Sequence, residues 1–503
     1  MAAKARYDKL ATDRSQFLQR ARHNALLTIP SLMPLDGHDG RSHLVEPYQG
    51  LGARVVAHLS SRMTIGFLPA GRPYMRMDLP PEIKMQEAGE VSTETTKGLA
   101  LAEQLVQAEV EAKGWRGSTL MSMQQLLVAG NVLEQMLPDN SIRVFRLDQF
   151  VVRRNFDGKI LEMIIQEKFK SDATPFNLKG APGEVQEDDD VELYTVIKLV
   201  QEATREFYER TQEWGDGAKA SEKAIFAIDD LPYFPLRWSA TPGEDYGRAK
   251  AEEHIADLRS LDALEKAQLE MAGMGSRNFI MIAPGAGASG IKNRLVRALN
   301  GDVVVGDPAS VELKSFDNAA GFQITQAQVA VIRESLSTAF LLQSGAQRQA
   351  ERVTATEIER DIQELEAALG GVFSTLSVEM LERRTTVLIK QMKDQEKLPD
   401  FPDGTIVPTI LTGLEALSRE RDVSRAQQAA ELVRAFLGAD ESAGDVVKLD
   451  TILGRAFIGL GLPDSVNTAE ETAAIRQQRA QQQQQQQMVE KLGPAVIKEA
   501  GKE

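Results

Sequence analysis

The stretch TATEIERDIQELEAALGGVFSTL, Thr354 to Leu376, decides how this chain is read. It opens on Thr354-Ala-Thr-Glu357, a capping box in which the hydroxyl accepts from the third backbone N–H and the glutamate reaches back to the cap. Behind it Ile358, Ile362, Leu365, Leu369, Val372 and Leu376 fall at alternating steps of four and three, so one narrow apolar stripe faces a partner. Continued through Val387 and Met392, the pattern predicts a helix of roughly forty residues, about 60 Å long at 1.5 Å per residue. Gly370 and Gly371 stand near its middle, where two glycines cost about 2 kcal/mol relative to alanines and predict a kink.

Working outward, an apolar-spaced helix runs from about Ile324 to Leu342, and a polar loop, Gln343-Ser-Gly-Ala-Gln-Arg-Gln-Ala-Glu-Arg352, joins it to the long helix. Downstream, Leu398 to Pro408 is a proline-rich break. Helical pattern resumes from Gly413 to about Leu460, and the run Gln477 to Gln487 reads as a frayed helix or a disordered tail.

The N-terminal half changes period. Helices are expected at about Tyr7 to Leu27, Val55 to Phe67, Ser92 to Lys113 with an interruption at Gly98, and Gly117 to Ala129, closed by Gly130-Asn131 as a C-cap. A short strand is expected at Tyr74 to Leu79. From Val132 short apolar-rich runs separated by Pro138-Asp-Asn140 and Asn155-Phe-Asp-Gly158 read as antiparallel strands: Val132 to Leu137, Ile142 to Arg146, Phe150 to Arg153, Lys159 to Lys168, Val191 to Val200, about Arg205 to Tyr208, and Phe234 to Trp238. Because the strands cluster instead of alternating with helices, the fold class is α+β, predominantly helical. A charged helix is expected to open at Glu244-Asp-Tyr-Gly-Arg248 and run to about Met274, and Arg277 to Ser315 reads as a compact insertion of short strands and one short helix.

A chain of 503 residues is long enough for several domains with sizeable cores. It holds no cysteine, so no disulfide, thiolate nucleophile or cysteine-ligated metal can operate in it, which suits a reducing cytoplasm. Met1 to Gln19 lacks the apolar core of a signal peptide, and no stretch reaches the apolar length of a membrane span, so a soluble protein is expected. The net charge of −15 argues against broad, tight nucleic-acid binding, because affinity for DNA comes mainly from lysines and arginines that displace counterions.

Signals for chemistry are weak. Gly285-Ala-Gly-Ala-Ser-Gly290 is a literal G-x-G-x-x-G behind a strand-like run, with Asp307 downstream, but Pro284 intervenes, the following helix is short, and no second βαβ unit follows. There is no P-loop and no G-x-S-x-G elbow, so neither an ATP-driven motor nor a serine hydrolase is visible. Glu252, Glu253, His254 and Asp257 share a short helical segment without H-E-x-x-H, and a solvated or subunit-facing charged surface accounts for them better than a metal does. No catalytic residue, metal ligand or cofactor is assigned.

The order of these segments resembles the head-to-tail connector, or portal protein, family of short-tailed bacteriophages. The resemblance is most specific at QRQAERVTATEI, Gln347 to Ile358, and is carried also by LVAGNVL (Leu127 to Leu133), YGRAKAEEHIADLRSLDAL (Tyr246 to Leu264) and PTILTGLEAL (Pro408 to Leu417). It covers nearly the whole chain. It implies a ring, usually of twelve subunits, around a channel for double-stranded DNA at one capsid vertex, with wing, stem, clip and crown.

On that resemblance residues 1–246 would be the wing, 247–274 and 322–342 the stem helices, and 275–321 the clip. Residues 343–353 would be the tunnel loop, 354–412 the long kinked wing helix and its linker, 413–464 the helical crown, and 465–503 a low-complexity tail. The implied partners are the terminase packaging motor, the major capsid and scaffolding proteins, a tail adaptor and internal core proteins, with no membrane insertion. The implied location is the virion, after assembly in the host cytoplasm. Glu252, Glu253 and Asp257 would line the channel and repel phosphates, while Gln343, Gln347, Arg348, Gln349 and Arg352 would touch DNA lightly, without an aromatic to grip a base. Two other classes stay open: a non-viral helical scaffold or adaptor, which would not form an annulus, and an enzyme with a nucleotide site at Gly285 to Gly290, which ligand-induced thermal stabilisation would reveal.

Overall fold

The change of hydrophobic period at Gly130 is a structural boundary. The computed structural model describes residues 2–38, 40, 42–69, 73–78, 93–170, 190–202, 205–275, 278–282, 288–298, 311–315, 319–342, 364–365, 367–399 and 407–410, with a few positions between 474 and 482. Before the boundary lie α1 (Ala3–Leu26), α2 (Leu51–Phe67), β1 (Met75–Asp78), α3 (Thr93–Ala112) and α4 (Trp115–Ala129). Helix α4 stops because Gly130 takes the left-handed conformation, φ 73°, and its N–H returns to the Leu126 carbonyl at 3.0 Å. Helix α3 runs through Gly98 without the interruption expected there. Leu99, Ala100 and Ala102 beside it are buried, and that packing outweighs the roughly 1 kcal/mol a helical glycine costs.

From Asn131 the chain builds two antiparallel sheets. One has the order β3 (Ile142–Phe145), β2 (Asn131–Met136), β9 (Tyr233–Arg237). The other is a sequential meander of β4 (Phe150–Arg154), β5 (Ile160–Lys170), β6 (Asp190–Glu202), β7 (Arg205–Trp214) and β8 (Ala224–Ala227). Strand β7 extends well past Tyr208, its expected end. Glu209 to Glu213 are polar on both faces and so carry no alternating signal, yet the ladder continues to the Leu193–Trp214 pair. The short β8 has no counterpart among the strands expected from the sequence.

Alternation on β6 feeds two separate cores. Tyr194 and Val196 join Val151 and Ile164 beneath Ala3, Tyr7 and Leu10 of α1, whereas Val191 and Leu193 pack with Trp214 and Ala220 on the other face. The largest core lies between α1, α2, α4, the three-stranded sheet and the C-terminal helices, and includes Val55, Leu59, Met63, Leu126, Leu127, Leu133 and Phe373.

The charged helix expected from Glu244 begins later and is broken. It consists of α5 (Lys250–Glu253) and α6 (Ile255–Gly275), separated at His254. The Tyr246–Arg248 backbone cannot join it: Arg248 pairs with Ser239 in an antiparallel bridge, and Gly247 is held by the Asn131 side chain. Beyond α6, β10 (Asn278–Ile282) and β11 (Val311–Ser315) form an antiparallel pair around α7 (Ala288–Arg297). Gly285 to Gly287 lie outside the described residues, while Ala288, Ser289 and Gly290 are already helical. An antiparallel pair is not the parallel βαβ frame that a dinucleotide-binding G-x-G-x-x-G needs.

Helix α8 (Ala319–Ala339) starts three residues before the expected Phe322. The capping box at Thr354 and the crown, 413–464, fall outside the described residues. Further on, the helix expected to bend at its glycine pair is interrupted at Gly370, φ 43° and ψ −115°. It continues as α9 (Gly371–Leu376), a π-helical turn (Ser377–Glu382) and α10 (Arg383–Asp394). The proline-rich break ends in a strand, β12 (Val407–Ile410), antiparallel to β1. Pro408 sits opposite Met77 in this two-stranded ribbon, where each strand has an open edge that tolerates a missing N–H.

Candidate functional site

Helices α6 and α8 run in opposite directions. The His254 ring, just before α6, lies 5.4 Å from Phe340 at the end of α8, while Glu265 farther along α6 takes two bonds, at 2.7 and 3.0 Å, from the Arg333 guanidinium. Their shared seam is short and apolar: Leu258 and Leu261 on one side, Val329, Ile332 and Leu336 on the other. Leu269 on α6, and Ile324 and Val331 on α8, remain largely exposed in the single chain. Asp262 ties the hairpin to the N-terminal half, its Oδ1 accepting the Tyr48 N–H at 2.7 Å and the Gln49 N–H at 3.2 Å. Lys266 reaches over the Tyr48 ring at 5.3 Å.

The three carboxylates expected to line a channel are in unequal settings. Glu252 is half-buried between two arginines, 3.3 Å from Arg20 Nε and 3.0 Å from Arg248, so its charge is largely neutralised locally. Glu253 is exposed and pairs with Lys250 at 2.7 Å. Asp257 is half-buried one turn further on. Glu253 and Asp257 flank the His254 break and both act on its imidazole, while Glu252 faces Arg20 of α1. Burial, and then the nearby Lys250, hold the His254 imidazole below its ordinary pKa, so it stays neutral at pH 7 against Phe340. Among the described residues no group of three potential ligands is placed to hold a metal ion, and no helix is long and apolar enough to cross a membrane.

Gln343, Gln347, Arg348, Gln349 and Arg352 lie outside the described residues. Their upstream flank is defined: Leu341 leaves α8 with φ 58°, a left-handed conformation that an L-leucine adopts only at a cost of about 1 kcal/mol.

Two charged features had no signal in the sequence. Arg384 is wholly buried and bidentate to Glu134 of β2, also wholly buried, with a further bond to Thr119 at 2.9 Å and its guanidinium 5.8 Å from the Trp115 ring. It joins the C-terminal helices to the sheet from within. Arg154, beside Arg237, is pushed down to about 10 by burial and then by that second positive charge, although the backbone carbonyls of Asp245, Gly158 and Pro235 accept its guanidinium N–H groups. Nothing in residue spacing distinguishes these arginines from the solvated ones around them.

Comparison with known proteins bears on the chain almost end to end. The family described as "Bacteriophage head to tail connecting protein" matches residues 1–467. The portal protein of Escherichia phage T7 is 32% identical over 438 residues, covering 85% of this chain and 81% of that protein. The portal protein of Enterobacteria phage T3 is 32% identical over 437 residues, with the same coverage. That of Enterobacteria phage SP6 is 28% identical over 511 residues, covering 99% of this chain and 96% of that protein. The antiparallel sheets, the helical hairpin with its inserted strand pair, and a match that runs over nearly the whole sequence lead to one conclusion: the chain belongs to the bacteriophage head-to-tail connecting protein family.

Proposed function

We propose that copies of this chain close into a ring, usually twelve in this family, at one vertex of a phage capsid, and that double-stranded DNA passes through its centre during packaging, retention and ejection. The observation that carries this reading is the similarity, over four-fifths or more of both chains, to proteins named portal proteins. The role is structural: the ring is a conduit and a docking platform for the terminase motor, the capsid and scaffolding proteins, internal core proteins and a tail adaptor, first in the host cytoplasm and then in the virion.

The charge distribution suits a conduit. A net charge of −15 keeps a duplex from adhering to the wall, and the entry to the hairpin presents exposed Glu253 at the end of α5 and half-buried Asp257 in the first turn of α6. Contact is concentrated at the tunnel loop, where Arg348 and Arg352 meet phosphates transiently and Gln343, Gln347 and Gln349 supply neutral hydrogen bonds. End-on electron microscopy of the purified chain tests the ring; a protein that stays monomeric under assembly conditions overturns it. Replacing Arg348 and Arg352 with alanine is expected to leave ring formation intact and lower the DNA content of particles, and full DNA content refutes the assigned role of the loop.

A further inference from the structure

The hairpin of α6 and α8 has two unlike flanks. With Val329, Ile332 and Leu336 turned into the seam, a second stripe on α8, Ile324, Ala327 and Val331, lies roughly 140° round the helix at 3.6 residues per turn. Ile324 is 72% exposed and Val331 61%. On α6 the corresponding positions, roughly 140° from Leu258 and Leu261 in the same sense, are Ala256, Ser260 and Ala263, all exposed. Because the two helices run in opposite directions, equal turns from the seam place the stripes on opposite flanks. Each hairpin therefore carries a bulky β-branched ridge on one side and a shallow surface on the other.

Charge is divided in the same way. Arg259 and Lys266 are exposed on α6 and border the shallow surface; Arg259 meets His23 Nε2 at 2.9 Å, and Lys266 lies over the Tyr48 ring at 5.3 Å. Among the described residues neither has a carboxylate within ion-pair reach, and Glu334, exposed on α8 beside the ridge, has no cation within reach. The His254–Phe340 and Glu265–Arg333 contacts set the relative heights of the two helices, and Glu334 falls between the levels of Arg259 and Lys266. Unlike charges thus stand at one height on opposite flanks of the same hairpin.

We propose that in the ring the α8 ridge of each copy seats on the α6 flank of the next, with Glu334 meeting Arg259 and Lys266 of that next copy. The inference rests on the reading that copies close into a ring, and adds which surfaces meet. Charge complementarity selects a second copy as the occupant: both halves of the contact are on this chain, and rotation about a ring axis keeps their heights matched. On a chain of net charge −15 such local pairing offsets the repulsion between copies. Two different surfaces meet, so each copy receives one neighbour and offers itself to another, and the series ends only when it closes. The short side chains of Ala256, Ser260 and Ala263 allow the facing helix to approach closely.

The chain has no cysteine, so an introduced pair reports on this contact alone. Val331→Cys combined with Ala263→Cys or with Ala267→Cys, oxidised after assembly, is expected to give a ladder of covalent oligomers that climbs to the full ring, whereas each single replacement gives none. A disulfide cannot close within one hairpin, because the two positions point away from each other. Val331→Asp, at an exposed site, is expected to keep the parent's helix content and lower ring yield by roughly tenfold. Glu334→Lys should lower it by roughly fivefold, and Arg259→Glu with Lys266→Glu in the same chain should restore it; without that rescue the charge pairing is wrong. If electron microscopy shows rings of both double-cysteine chains but no ladder forms, another partner covers the ridge: the ring reading stands and this contact is overturned. Cross-linked dimers alone mean that like surfaces meet, which overturns it too. If the parent forms no ring, the ring reading fails and the inference falls with it. Should Val331→Asp not fold, the cross-linking decides.

Discussion

Asn131 and Gly247 are joined by a two-way amide pairing: the Gly247 N–H donates to Asn131 Oδ1 at 2.7 Å, and Asn131 Nδ2 donates to the Gly247 carbonyl at 2.8 Å. The side chain thereby acts as a strand neighbour, satisfying both polar groups of a buried peptide. Next to it, a Cβ on Gly130 would meet the backbone of Arg248 and Ala249 at 2.6 to 2.7 Å, so only glycine fits. Two of the motifs that pointed to the family, LVAGNVL and YGRAKAEEH, are therefore the two halves of one joint. It fixes where the chain leaves the sheet domain for the helical hairpin.

Asn131→Ala leaves the Gly247 N–H and carbonyl unpaired in a dry site and is expected to cost about 2 kcal/mol. Gly130→Ala combines a backbone clash with a left-handed φ and should cost more, about 3 kcal/mol or beyond. Urea melts monitored at 222 nm, a wavelength reporting mainly helix, check both; a loss under about 0.5 kcal/mol for either would mean the joint relaxes.

Breaking the buried Arg384–Glu134 pair should be worse than removing it. Arg384→Met or Glu134→Leu alone strands a charge with no water and is expected to destabilise by about 3 to 5 kcal/mol, while the double replacement should recover much of that. Thermal unfolding of the three variants decides it. A double variant as unstable as the sum of the singles would show that the two groups act independently.

The carboxylate of Glu192 carries a pH dependence with a definite sign. Burial acts to raise it, but hydrogen bonds from Lys168, Tyr194 and Lys4 outweigh that and bring it from the ordinary 4.5 down to about 2. A depressed folded value means the stabilisation is complete above the unfolded value and fades as pH falls from about 4.5 toward 2. Discounted for the solvent-exposed lysines, it is on the order of 2 kcal/mol at neutral pH. The stability gap between the parent and Glu192→Gln should close across that window, and a gap independent of pH would disprove the assignment.

The glycine pair in the C-terminal helix should respond with opposite signs. Gly370 has φ 43°, which strains any L-residue, so Gly370→Ala is expected to destabilise by about 1 kcal/mol. Gly371 opens α9, and an added Cβ there would meet no atom within 4 Å. Gly371→Ala should therefore stabilise by about 0.5 kcal/mol through a less flexible unfolded chain. Paired melting curves of the two single variants provide the check.

Much of this architecture is local and therefore legible in the order of residues. Alternation along Val132 to Val200 marks antiparallel strands, Gly130 marks the helix stop, and Gly370 marks the break, because period, left-handed glycine and helix cost are properties of a few neighbouring residues. The strand at Val407 to Ile410 was hidden, since its Pro408 signals a break and only Met75 to Asp78, over three hundred residues away, turns it into a ribbon. The unequal fates of Glu252, Glu253 and Asp257 were equally hidden.

On a helix the three carboxylates look alike, and a sequence can say only that they are charged. Which one is neutralised depends on Arg20 arriving from α1, and which arginine is buried depends on Glu134 facing Arg384 across the core. Sequence alone determined most of the helices and strands, the helix stop at Gly130 and the family, all of which rest on near neighbours or on the whole ordered string. Tertiary structure decided the charges, because the energy of a charge is set by what stands within a few ångströms of it in space, whatever its distance along the chain.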